Sequence, residues 1–460
     1  MGTVIAFVVL ASAAADEKPN IIFIMADDLG YGHLGCYGQE KIETPNIDRL
    51  AAEGMRFTHC YAGATVCAPT RSVLMTGLHG GHTAVRGNLG GQYLYDEDVT
   101  VAEVLKPGGY ATGGFGKWGL GQEGSEGHPL EQGFDQFFGY LHQVHAHFYY
   151  PYYLVDNHGK HLLPGNTGGK RETYSHDVIV DRAMQFIRRN RNEPFFCYLP
   201  VTIPHTEVTV PEDSMKPYRG RWPEGAVSPE KRKGYIVAKE PKATWAGMIS
   251  RLDRDVGRIV ALVKELRLEK QTLIIFTSDN GAHAGYGTNL EFFKGNGDLR
   301  GTKGTMYEGG LRVPLIASWP GRIKPGSETD HLTHFADMVP TFAELAGVAP
   351  PVGTDGISIV PTLLGRGAQA KHQFLYWELV RNDAAVFRRG ARMGDWKLVQ
   401  NVSRQPPELY NLKDDPGEQS NVASKHAEIV QQIEARMKAA RTPARAYERG
   451  YRPGAADYVR

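Results

Sequence analysis

Two apolar runs in this chain end in the same chemistry. Ile21 to Met25 leads into Asp27, Asp28 and Gly30, and Leu273 to Phe276 leads into Asp279, Asn280 and Gly281. Carboxylates brought close together repel unless a cation neutralises them. An all-oxygen donor set selects a hard cation, Ca2+ or Mg2+, over zinc. One such pair is ordinary turn chemistry, since Asp and Asn commonly follow strands. Two matching pairs point to a metal.

A second stretch, Cys67-Ala68-Pro69-Thr70-Arg71, carries different chemistry. Pro69 suits the first turn of a helix, and the residues up to Gly77 continue it well. Cys67 then sits at or just before a helix N-terminus, where free N–H groups and the dipole favour anions, with Arg71 one turn on. The other cysteines are Cys36, Cys60 and Cys197; no C-x-x-C pair exists and the spacing fits no disulfide framework. A buried apolar thiol and a reactive centre both fit position 67.

These groups need a scaffold. Runs apolar at every position and bounded by Gly and polar residues fit strands buried on both faces of a parallel sheet. Between them, residues 175–190 and 248–267 place apolar side chains at three- and four-residue spacing, as amphipathic helices do. Residues 194–205 and 313–320 supply further strand candidates. Strands alternating with helices predict a doubly wound, mostly parallel α/β sheet, whose ligands bind outside the carboxyl ends of the strands. After about Gly365 the texture changes to short strands joined by turns, then a helix near residues 424–440. The expected division is a leader at 1–15, a catalytic α/β domain at 16–365 and a smaller antiparallel-sheet-plus-helix unit at 366–460. The tail from Arg441 has no periodicity.

Lys and Arg number 52 against 51 Asp and Glu, leaving no excess to neutralise phosphates and arguing against nucleic acid as partner. No run reaches membrane-spanning length. The apolar Val4–Leu10 segment, followed by Ala13-Ala14-Ala15, reads as an export signal and predicts a periplasmic or extracellular protein.

Cys67 to Arg71, followed by Thr76-Gly77, resembles the C-x-P-x-R…TG signature of the formylglycine-dependent sulfatases. The likeness continues through "MADDLG", "GKWGLG", "GFDQFFGY", "SDNG", "LRGTKGTMYEGGLRVP" and "LYNLKDDPGE". It is nearest to arylsulfatase-A-like and carbohydrate-sulfatase members, and implies an alkaline-phosphatase-like fold. It further implies that a maturation enzyme oxidises Cys67 to formylglycine before the chain folds. Asp27, Asp28, Asp279 and Asn280 match the calcium ligands, with modified Cys67 as an added contact. One hydroxyl of the hydrated aldehyde attacks sulfur, and the other drives release of sulfate. Arg71, Lys117 and Lys303 match the cations that hold sulfate oxygens. His205 matches a histidine that can protonate the leaving alkoxide. The expected substrate is a sulfated saccharide or an aryl sulfate. Phosphodiester or phosphonate hydrolysis, or sulfated-glycan binding without turnover, are the alternatives.

One departure stands out. Many members read G-K-W-H-L-G, whereas this chain has Gly119 at the histidine position. His142, His145, His147 and His283 are the candidate replacements, with His145, His147, His283 and Arg300 as candidate substrate contacts. The formal G-x-G-x-x-G match at Gly114–Gly119 lacks the following apolar helix that a dinucleotide site needs.

Overall fold

The computed structural model describes residues 18–88, 92–224, 235–236, 238–285, 287–380 and 386–445. The segment read as an export signal, and residues 446–460 of the tail, lie outside these. Eleven strands form one sheet: β1 (Asn20–Ala26), β2 (Met55–Tyr61), β3 (Ala111–Lys117), β4 (Gln136–Tyr140), β5 (Tyr153–Asp156), β6 (Gly159–Leu162), β7 (Phe195–Pro200), β8 (Thr272–Ser278), β9 (Arg312–Ser318), β10 (Ser327–Thr329) and β11 (Thr333–His334). Its centre, in the order β4-β3-β7-β1-β8, is parallel throughout.

The apolar runs behave as buried strands should. On β1, Ile22, Ile24 and Ala26 face one hydrophobic cluster, while Ile21, Phe23 and Met25 face the other. Helices Ser175–Arg189 and Pro241–Glu265 bury their apolar stripes on the first face. Helices Cys67–Thr76 and Met338–Ala346 do so on the second. This is the doubly wound α/β architecture. The strand at Val313 forms as β9 but runs antiparallel to both β8 and β2. A parallel return requires a long crossover, usually a helix packed over the sheet. Between β8 and β9 the described helices are only Leu290–Phe293 and Glu308–Leu311, too short for that path.

The C-terminal texture change is a second sheet, antiparallel in the order β12 (Leu375–Val380), β13 (Val386–Met393), β14 (Trp396–Gln400), β15 (Glu408–Asn411). Helix Ala427–Ala439 covers one face, packing Ile433 and Met437 with Tyr376, Leu398 and Leu409. The other face presents Trp377, Val399 and Tyr410 to Tyr61, Met306 and Leu311 of the larger unit. That junction holds charge as well as apolar surface. Lys397 Nζ lies 2.7 Å from Glu308 Oε1 and 3.0 Å from Glu418 Oε1, all without solvent contact. Tyr61 donates to Glu308 Oε2 at 2.6 Å, and Arg392 Nη1 donates to the Tyr61 hydroxyl at 2.6 Å. The described start of the tail is not loose: Arg445 pairs with Asp98 at 2.8 Å, and Thr442 N–H donates to the Gly81 carbonyl at 3.0 Å. Among the described residues no helix is long and apolar enough to cross a membrane.

Candidate active site

Strands β1 and β8 pair in step from Asn20 opposite Thr272 to Ala26 opposite Ser278. The residues that follow each strand therefore emerge side by side at the carboxyl edge, where an open α/β sheet binds ligands. Asp279 N–H donates to the Ala26 carbonyl at 3.0 Å, and Asp28 N–H donates to Asp279 Oδ1 at 3.1 Å. Asp28 adopts a left-handed backbone (φ 65°), a conformation Asp tolerates better than most residues. Asn280 donates from Nδ2 to Asp28 Oδ1 at 2.8 Å. The two acidic pairs of the sequence thus form one cluster.

The helix begins at Cys67 and runs to Thr76. Gly77 closes it in a left-handed conformation (φ 69°), its N–H donating to the Val73 carbonyl at 2.9 Å. Every residue of this helix is buried, and Cys67 is only 1% exposed. Arg71 reaches from the next turn into the cluster, donating to Asp279 Oδ2 at 2.9 Å and to the Lys117 carbonyl at 2.6 Å. Lys117, the last residue of β3, places Nζ 2.6 Å from Asp27 Oδ2. Lys303 arrives from the loop before β9, its own N–H donating to the Ala282 carbonyl at 3.0 Å and that of Gly304 to the Thr65 carbonyl at 2.8 Å. Its Nζ lies 2.7 Å from Asp28 Oδ1 and 3.4 Å from Cys67 Sγ. His205, just beyond β7, brings Nε2 to 3.4 Å from Asp28 Oδ2. Its Nδ1 lies against the Thr206 carbonyl, which can only accept, so Nδ1 carries a proton there.

Charge in this cluster is closely matched: three carboxylates face three permanent cations. Burial opposes ionisation of Asp27, yet Lys117, His205 and Arg71 hold it well below the usual carboxylate range. Asp28 is likewise lowered, against burial, chiefly by Lys303 and His205. Asp279 is the weakest acid of the three: burial and the charge of Asp27 push it up to about 7. Burial also pushes the Cys67 thiol up to about 11, despite Lys117 and Lys303 beside it, so the thiol itself is a poor nucleophile at neutral pH. His205 is lowered to about 3 by burial.

The donor set can be tested for a cation. Among the described residues, Asp27 Oδ1 and Asn280 Oδ1 are both buried without a hydrogen-bond partner, although each residue's other polar atom is engaged. Buried oxygens with no donor are costly unless something else satisfies them. Ligand atoms of Asp27, Asp28, Cys67 and His205 lie within 4.8 Å of one another. The residues fit a hard divalent cation.

The remaining candidates separate. His147 stacks on His205 with ring centroids 4.4 Å apart, and its Nδ1 lies 2.6 Å from the Tyr235 hydroxyl. His283 is near enough to Asp28 for its charge to favour that carboxylate. His145 turns away from the cluster: its Nε2 lies 3.1 Å from the Tyr153 carbonyl, and its ring meets Tyr140 edge-on. Arg300 serves the junction with the C-terminal sheet, donating to the Tyr410 hydroxyl at 2.8 Å and lying over the Tyr307 ring. Sequence spacing gave no sign of two further residues near this edge. Tyr235 stands in a stretch without periodicity, and Gln143 sits among the histidines of "LHQVHAH", signalled only by the missing side chain at Gly119.

Known proteins fit this arrangement. The family model described as Sulfatase matches residues 19–348, and one described as N-sulphoglucosamine sulphohydrolase, C-terminal, matches 301–443. The chain is 33% identical to human arylsulfatase A over 92% of its own length and 88% of the relative. It is 29% identical to an N-acetylgalactosamine-6-O-sulfatase of Bacteroides thetaiotaomicron over 93% of this chain and 94% of that one. The solved structure of Ps i-CgsB with k-i-k-neocarrahexaose superposes with a TM-score of 0.79 at 28% identity, over 94% of both chains. With the family model spanning most of its length and arylsulfatase A aligned along nearly all of it, this chain belongs to the sulfatase family and is a sulfuric ester hydrolase.

Proposed function

We propose that this chain removes sulfate from a sulfated carbohydrate, using Cys67 in its formylglycine form and a calcium ion held by Asp27, Asp28, Asp279 and Asn280. The carrying observation is the pair of buried oxygens, Asp27 Oδ1 and Asn280 Oδ1, unpartnered among the described residues, beside a cysteine at a helix N-terminus. Hydrated formylglycine supplies a nucleophilic hydroxyl, and a second hydroxyl for sulfate release, that a buried thiol with a raised pKa does not. Bound calcium supplies positive charge that offsets the carboxylates and polarises a sulfate oxygen.

The chain's own residues do the rest. Arg71, Lys117 and Lys303 are all engaged with the acidic cluster. Once a divalent ion shares that task, their charge is available to a sulfate group and to the charge that develops as its S–O bond breaks. His205 keeps Nδ1–H on the Thr206 carbonyl, so Nε2 is the atom through which a proton passes. Burial keeps the ring neutral at rest, and an anionic ester beside it favours the protonated form that donates to the leaving oxygen. Closure of the cluster from solvent strengthens each of these interactions. The carbohydrate substrate rests on relatives whose names specify sulfated sugars, among them the N-acetylgalactosamine-6-O-sulfatase.

The test is the mass of the proteolytic peptide bearing residue 67, from protein made with a formylglycine-generating enzyme, together with turnover of sulfated saccharides, aryl sulfates and phosphodiesters. Formylglycine at 67 with preference for sulfated sugars supports the reading. Unmodified cysteine in a fully active protein overturns it.

A further inference from the structure

Gly119 has a left-handed backbone (φ 81°), and the space over it is occupied. A Cβ built there would lie 1.8 Å from Nε2 of Gln143. The Gln143 amide therefore fills the room that a side chain at 119 would take. Its Oε1 and Nε2 are both shielded from solvent, and neither has a hydrogen-bond partner among the described residues. A primary amide has two donors and a carbonyl acceptor, and leaving all of them unmade in a buried setting is costly.

The backbone shows where this amide stands. The pairing of β3 with β4 continues past the strands: Trp118 N–H donates to the Tyr140 carbonyl at 2.9 Å, and Gly119 N–H to the Leu141 carbonyl at 3.1 Å. Trp118 enters the hydrophobic cluster on one side, whereas Lys117 puts its ammonium on Asp27. Gly119 is two residues beyond Lys117, the last residue of β3, so the amide that lies over it stands beside the end of that strand. The turn carrying Gln143 is held against the His205 loop: Tyr149 donates to the Thr202 carbonyl at 2.9 Å, and Glu207 N–H to the His147 carbonyl at 3.3 Å.

We propose that Gln143 is a sulfate-holding residue, its amide donating to an oxygen of the sulfate group next to Lys117. This rests on the sulfatase reading and extends it to a residue in the place left by Gly119. An uncharged amide cannot take a proton from a nucleophile at neutral pH, so its part is to bind and orient the ester.

The test uses the calcium-loaded, matured protein and its Gln143→Ala and Gln143→Glu variants. Three quantities are measured: affinity for inorganic sulfate by calorimetry, kcat and KM for 4-nitrophenyl sulfate, and the melting temperature. The expected result is a sulfate Kd and a KM raised on the order of tenfold in Gln143→Ala, the scale of one hydrogen bond to a charged group. Gln143→Glu, nearly the same shape but with a repelling carboxylate, should weaken both further while the melting temperature holds. Should the alanine variant fail to fold, the glutamate variant carries the comparison. Wild-type sulfate affinity and kinetics in both variants, or no sulfate binding by the parent protein, would overturn the proposal. If the parent binds sulfate and Gln143→Ala weakens that binding, but no ester is turned over, the sulfate-holding role stands and the sulfatase reading falls.

Discussion

Lys117 and Asp27 meet through Nζ and Oδ2 at 2.6 Å, with neither side chain touching solvent. A buried ion pair is weak evidence for added stability, because desolvation consumes most of the attraction. Its value here is placement of a cation at the end of β3. Lys117→Met should lower kcat/KM for an aryl sulfate by about 10²- to 10³-fold, as loss of one charge-stabilising donor does elsewhere. Steady-state kinetics decide this, and a loss below about threefold would remove Lys117 from the sulfate site.

Chelation is the second expectation. An ion that binds only the folded state at about 100 times its Kd stabilises by about 2.7 kcal/mol, so EDTA should lower the melting temperature and excess calcium restore it. Asp279→Asn, which changes one carboxylate that needs the ion, should blunt that response. A melting temperature indifferent to both chelator and calcium would count against the metal.

Cys67→Ser keeps a hydroxyl but lacks the second one. It should be sulfated once and then stall, visible as a covalent sulfate adduct by intact-mass measurement with no sustained turnover. Sustained turnover by this variant would sink the gem-diol reading.

The junction with the C-terminal sheet carries a pH prediction. Burial and neighbouring Glu308 push Glu418 up to about 7, against Lys397, while Glu308, despite its burial, is held down to about 2 mainly by Lys397 and Arg312. A carboxyl whose folded pKa is raised binds its proton more tightly folded than unfolded. Its contribution is therefore fully present below the unfolded value near pH 4 and is lost as pH rises through about 7. Thermal unfolding across pH 5 to 8 should show the parent losing more stability with rising pH than Glu418→Gln. Parallel curves would show that Glu418 is ionised throughout.

How much of this could be read beforehand differs residue by residue. The ends of β1 and β8 were legible because an apolar run stopped by acidic residues is a local pattern, and parallel neighbours bring such ends together. The start of the helix at Cys67 was legible for the same local reason. His145 and Arg300 show the limit. Both lie in stretches rich in functional residues, but a single turn decides whether a ring faces an acidic cluster or a backbone carbonyl, and sequence spacing does not carry that direction. The antiparallel course of β9 depended on a missing crossover, a long-range property. Gln143 was hidden because its signal lies at another position, in the absence of a side chain at Gly119.

The burial of the whole Cys67–Thr76 helix has a bearing on how a population of these molecules behaves. With the thiol 1% exposed and Lys303 3.4 Å away, the folded chain does not present this sulfur to a second protein. Under the proposed formylglycine reading, covalent editing of that sulfur must take place before the sheet and helix come together. On that reading the share of competent molecules is set during synthesis, before the helix is buried. On the same reading, two preparations of identical sequence differ in specific activity according to how much of position 67 was edited before closure.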